Sequence, residues 1–90
     1  MNVWEVAILR CIKELSGVAN LNQIYGNIGH FIDLTKSHLK ETVYGGRPAF
    51  QHQVRSHITN LCEVSELRWE ARGRYSITDK GLKRIGRAIT

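Results

Sequence analysis

The sequence predicts a small, mainly α-helical domain that carries one β-hairpin. Four segments repeat their apolar residues at helical spacing, two short segments in the last third alternate apolar and polar residues, and a glycine lies between those two. Ninety residues, 42% of them hydrophobic and 23% charged, are enough for one folded domain that covers residues 1–90 and has its own core.

The first half of the chain predicts helices joined by short connections. Residues 2–16 form the first helix, which Ser16-Gly17 ends, and residues 18–20 form a short extended piece. Asn20 can cap a second helix that begins with LNQIYGNIGHFI. Residues 33–44 predict a further short helix. The stripe of the first helix consists of Trp4, Ile8, Cys11 and Leu15.

Residues 47–62 predict a third helix whose two faces differ in chemistry. Pro48 lies in its first turn, where the missing N–H costs nothing. Phe50, Val54 and Leu61 mark the buried stripe, and His57 at its boundary is expected to be a structural histidine. The other side carries hydrogen-bonding groups instead of the Glu and Lys of an ordinary surface helix: Gln51, His52, Arg55, Ser56, Thr59 and Asn60.

A basic hairpin and a fourth helix complete the prediction. LRWE and RYSI alternate with period two and are joined by the loop ARG. The inner face of the hairpin is expected to hold Leu67, Trp69, Tyr75 and Ile77. Three arginines lie in or beside the loop: Arg68, Arg72 and Arg74. Thr78 or Asp79 can cap the last helix, whose inward residues are expected to be Leu82, Ile85 and Ile89.

This order of elements is that of a winged helix-turn-helix, and its side chains suit DNA. Arginine can bond guanine, asparagine or glutamine can bond adenine, and serine or threonine can bond either. Arg47 and the hairpin arginines suit phosphates, and the net charge of +5 favours a polyanionic partner. The sequence therefore predicts binding of double-stranded DNA, with helix 47–62 in the major groove and the wing, residues 68–75, on the backbone.

Two other interpretations stay open. The polar helix and basic hairpin can belong to a plain solvated surface. Winged helices also serve as adaptors that bind proteins. Val6 and Leu9 fall on the expected outer side of the first helix, where they could pack against a second copy, and the C-terminal helix is another candidate surface for a homodimer.

Catalysis, metal binding and membrane insertion are not predicted. The chain has no nucleophile–base pair, no Gly-rich phosphate loop followed by Lys-Ser/Thr, and no metal-ligand spacing among its four histidines and two cysteines. We therefore expect neither an enzyme nor a cofactor. No apolar run approaches about 18 residues and no signal-peptide pattern occurs, so a cytoplasmic protein is expected. Cys11 and Cys62 are expected to be buried free thiols.

Two stretches carry a resemblance to a known family: RPAFQHQVRSHITNLCEVSEL and RGRYSITDKGL. They are similar to the N-terminal winged-helix domain of Mrr-type restriction endonucleases, and AILRCIKELSGVANLNQIYGNI extends the similarity over nearly the whole chain. The family shows a basic residue, an aromatic residue and an arginine in its third helix, and a hairpin ending in G-x-Y-x-[IL]-T-x-K/E-G. The matching residues here are Phe50, Arg55, Gly73, Tyr75, Ile77, Thr78 and Gly81.

The resemblance implies DNA recognition without cleavage, because the nuclease domain of that family lies downstream of the matched region. It implies either an isolated domain or a stand-alone regulator or accessory protein such as a phage or mobile element encodes.

Overall fold

The computed structural model describes residues 2–35, 39 and 46–89, and of these it describes residues 87–89 by their backbone alone. Helices lie on one side of the domain, and a small antiparallel sheet lies on the other. The helices are α1 (Val3–Glu14), α2 (Leu21–Asn27), α3 (Ala49–Glu63) and α4 (Asp79–Ile89), and a 3-10 helix (Ile28–His30) follows α2. The strands are β1 (Val18–Asn20), β2 (Leu67–Ala71) and β3 (Arg74–Ile77), in the order β1-β3-β2. This agrees with the prediction of a mainly helical domain with a hairpin.

The sheet consists of the predicted hairpin and the predicted extended piece. In β2 and β3, Leu67 pairs with Ile77 and Trp69 with Tyr75. A β-bulge near the end of β2 shortens the expected three-residue loop to the turn Arg72-Gly73. The predicted short helix within residues 33–44 falls largely outside the described residues.

Predicted caps fix the beginnings of two helices. Asn20 and Gln23 form a capping box on α2, in which each side-chain oxygen accepts the other residue's backbone N–H, at 2.8 and 2.9 Å. Thr78, rather than Asp79, caps α4, because its hydroxyl oxygen accepts the N–H of Gly81 at 3.2 Å. In α3, Pro48 is the residue before the helix and not part of its first turn.

The end of α3 and the beginning of α4 are bonded to each other in what we call the α3–α4 junction, residues 64–66 and 78–81. The Thr78 hydroxyl donates to the Ser65 carbonyl at 2.6 Å, and the Thr78 N–H donates to the Glu66 carbonyl at 3.2 Å. Lys80 Nζ donates to the Val64 carbonyl at 2.7 Å. The junction therefore sets the direction in which the chain leaves α3 and enters the hairpin.

The core lies between the helices and the inner face of the sheet, and three predicted positions are wrong. Leu9 is fully buried, because α1 packs against α2, α3 and α4 and has more than one covered side. Trp69 is 62% exposed, because it lies toward the tip of the hairpin. Leu82 is 38% exposed, whereas Ile85 is buried as predicted and the side chain of Ile89 lies outside the described residues.

Both cysteines are free, and they differ in burial. Cys11 is buried, with Sγ 4.0 Å from the Ile24 carbonyl oxygen, and burial raises the pKa of its thiol to about 11. Cys62 is only partly buried, contrary to the prediction, although burial also raises its pKa.

We expect Cys62 to react with a thiol reagent at neutral pH well before Cys11. The thiolate is the reacting species, and the Cys11 thiolate is both scarcer and shielded. Mass spectrometry of the native protein during labelling, with Cys62→Ser and Cys11→Ser as single-thiol controls, measures the two rates. Equal rates in native buffer, with both thiols labelled as fast as in urea, would contradict this packing.

Candidate nucleic-acid interface

One row of side chains on α3 faces the hairpin across an open cleft. Gln51, Arg55 and Thr59 recur at every fourth residue, so they lie above one another on the same side of the helix. The Thr59 hydroxyl donates to the Arg55 carbonyl at 3.2 Å, which leaves its oxygen free to accept. The row does not lie directly opposite the core stripe of Val54 and Leu61, because it is turned toward the sheet.

Residues of α2 form a second wall of the cleft. Asn20, Leu21, Asn22 and Tyr25 line it. The Tyr25 ring meets Phe50 edge to face, with ring centroids 6.1 Å apart, and this contact fixes the ring against the core. Burial raises the pKa of the Tyr25 phenol, although the charges of Arg55 and Arg47 act in the opposite direction, so the hydroxyl keeps its proton at neutral pH.

The hairpin forms the third wall, and its tip is attached to α2. The cleft is lined there by Trp69, Arg72, Gly73 and Tyr75. Gly73 has a φ of 72°, a left-handed conformation that the tight turn requires, and its carbonyl accepts the Leu21 N–H at 2.9 Å. The tip is therefore held at a fixed distance from α2.

The cleft is strongly basic. It has a volume of about 820 Å³ and is lined by Arg47, Arg55 and Arg72, while none of the described residues that line it is acidic. Three positive charges with no carboxylate among the described lining residues favour an anionic ligand in this position.

The other predicted contact residues divide into two groups. His52, Ser56 and Asn60 are exposed on the outward side of α3, beside the cleft. Arg68 and Arg74 lie on the other face of the hairpin: Arg68 pairs with Ser76, and Arg74 alternates with Tyr75, which faces the cleft. The structure therefore brings Arg72 together with Arg47 and Arg55 and separates it from the other two hairpin arginines.

A cluster of polar and charged side chains lies on the side of α3 that faces away from the cleft. Arg84 Nη1 donates to Glu5 at 2.9 Å and also to Glu66, and His57 Nδ1 lies 3.1 Å from Glu5 Oε2. This cluster connects α1, α3, α4 and the start of β2. It confirms the structural role predicted for His57, which points away from the cleft.

Sequence reasoning missed part of the cleft. It assigned Tyr25 no role, although an aromatic residue with a hydroxyl on a half-buried helix often faces a site edge. It also placed Trp69 in the core on period-two alternation. The alternation gives the correct face of the strand, but it cannot tell how far that face is covered.

Among the residues that the structure describes, His, Cys, Asp and Glu form no group of three that could hold a metal ion. None of the described helices combines the length and apolarity that crossing a membrane requires.

Comparison of the chain with protein-family models, curated proteins and solved structures gives no match.

Proposed function

We propose that this domain is a non-enzymatic DNA-binding module of the winged helix-turn-helix class, in which α3 enters the major groove and the hairpin lies along the phosphate backbone. The observation that carries the proposal is the cleft between α3 and the hairpin, which three arginines line and to which no described carboxylate contributes. Phosphate contacts supply most of the affinity of such a domain, and base contacts supply its selectivity.

The arrangement of elements supports this class. A strand after the first helix joins the hairpin at β3, and α3 is presented beside the hairpin with polar side chains outward. Gln51, Arg55, Ser56 and Asn60 offer the amide, guanidinium and hydroxyl groups that bond base edges. The resemblance to the N-terminal domain of Mrr-type endonucleases is in accord with DNA recognition.

The adaptor interpretation loses its main observation. It rested on Val6 and Leu9 as an exposed pair, but Leu9 is fully buried and Val6 packs partly against the core. On the described part of α4, Leu82 is the exposed apolar side chain, and single exposed leucines are common on monomeric proteins. A homodimer through α4 therefore stays a prediction without further support.

Arg55→Ala is expected to weaken binding to a preferred duplex by about 1–3 kcal/mol and to relax selectivity at one base position, because a guanidinium forked onto guanine is lost. Selection of bound sequences from a random duplex library identifies the preferred site, and titrations on that site and on a scrambled duplex measure the loss. The thermal melt should shift little, since Arg55 is exposed.

Arg74→Ala is the matched control, because it removes the same charge from the hairpin face that does not line the cleft. We expect a smaller loss of affinity and no change in selectivity. Equal losses for both variants on every sequence would show attraction by net charge only. Wild-type affinity and selectivity in Arg55→Ala would refute the placement of α3 in the groove.

A further inference from the structure

Trp69 is exposed in a position that the core does not explain. It shows 62% of its surface to solvent and lines the basic cleft, and its partner across the hairpin, Tyr75, lines the cleft as well. The hairpin wall therefore presents two aromatic side chains to a space that already contains three arginines. Nucleobases that are not paired in a duplex stack on aromatic side chains of this kind.

The cleft is large enough for one nucleotide. Its volume of about 820 Å³ lies within the range of roughly 300–1,000 Å³ that is typical of small-ligand sites. A base inside a duplex keeps both of its faces stacked on neighbouring bases. Only a nucleotide that has left the stack can place its base on Trp69 while its phosphate lies among the arginines that line the cleft.

We infer that the cleft receives one unpaired nucleotide of a DNA strand, with its base stacked on Trp69 and its phosphate bound by Arg47 and Arg72. This inference rests on the proposed DNA-binding function and adds a structural preference to it. The domain would favour DNA in which one nucleotide is extruded over DNA that is fully paired.

The test compares two probes: a mixed-sequence duplex, and the same duplex with one extra, unpaired adenosine at its centre. Fluorescence anisotropy of the labelled DNA measures both affinities. We expect the wild-type protein to bind the bulged duplex about tenfold more tightly, since stacking of one base on an aromatic side chain has a value of this order. Trp69→Ala should lose the preference, so that it binds the two duplexes with about equal affinity, whereas Trp69→Phe should keep part of the preference.

The remaining outcomes separate the inference from the function on which it rests. Equal wild-type affinity for the two duplexes overturns the nucleotide site and leaves DNA binding intact. A Trp69→Ala variant that weakens both duplexes equally also overturns the site, because Trp69 then contacts paired DNA. Binding to neither duplex overturns the proposed function as well.

Discussion

Gly81→Ala is expected to lower the free energy of unfolding by about 3 kcal/mol, the upper part of the range for overpacked positions. A Cβ on Gly81 would collide with the backbone carbonyl of Glu66 and with the side chain of Ile77. The carbonyl cannot give way cheaply, because it accepts the Thr78 N–H within the α3–α4 junction. Helix propensity favours alanine by only about 1 kcal/mol and does not offset this loss.

Gly86→Ala is the matched control in the same helix. Among the described residues, and apart from the backbone of its own helix, a Cβ on Gly86 would meet no atom within 4 Å, so this variant should be as stable as the wild type or up to about 1 kcal/mol more stable. Urea denaturation followed by circular dichroism measures both variants. If Gly81→Ala and Gly86→Ala unfold at the same urea concentration, the contact between α4 and the Glu66 carbonyl is looser than the structure shows.

Arg84→Met is expected to lower the free energy of unfolding by about 2–3 kcal/mol. Removing one member of a buried ion pair costs about 3–5 kcal/mol, and the estimate here is lower because the Arg84 side chain is 25% exposed. The loss arises from Glu66 and Glu5, whose carboxylates stay largely buried without the guanidinium that neutralises them. Methionine keeps most of the apolar length of the side chain, so packing changes little.

The control for Arg84→Met is Lys83→Met, which removes the same charge from an exposed neighbour and should change stability by no more than about 0.5 kcal/mol. The double variant Arg84→Met with Glu66→Gln should recover part of the loss, since one unpaired charge is removed. Equal urea midpoints for Arg84→Met and Lys83→Met would show that the cluster adds nothing to stability.

Arg84 should continue to stabilise the folded state at every basic pH at which proteins are handled. Burial disfavours its charged form, but hydrogen bonds to Glu66 and Glu5 outweigh burial and raise the pKa of Arg84 above its ordinary value. A group whose pKa is raised by folding stabilises the folded state at every pH below its unfolded pKa and loses that effect only as pH rises through the folded value. For arginine, that loss lies beyond the pH at which proteins are handled.

Local features of the fold were predictable from the sequence because each depends on a few neighbouring residues. The cap at Asn20, the hairpin around Gly73 and the cap at Thr78 each use hydrogen bonds or backbone conformations that span only a few positions. The burial of Leu9 was not predictable in this way. It depends on the packing of α1 against three other helices, the last of which, α4, begins 70 positions further along the chain.

The candidate site likewise has a local part that the sequence predicts and a part that depends on distant elements. The side chains of α3 were identifiable because helical spacing alone separates Arg55 from the core stripe. The cleft needed three elements that meet only in the folded chain, α2, α3 and the hairpin. The bond between Arg84 and Glu5 joins residues 79 positions apart, and no pattern in a single sequence indicates such a pair.

The pairing of β1 with β3 and of α1 with α4 bears on how the domain folds during its synthesis. Val18 pairs with Ser76, so β1 and the apolar sides of α1 leave the ribosome long before their partners exist. At a synthesis rate of about 5–20 residues per second, that interval lasts several seconds. The first half of the chain is therefore not expected to fold by itself before the second half has been synthesised. The domain is expected to fold as one cooperative unit once residues 74–85 have emerged, and the exposed early segments are where nascent-chain chaperones would act.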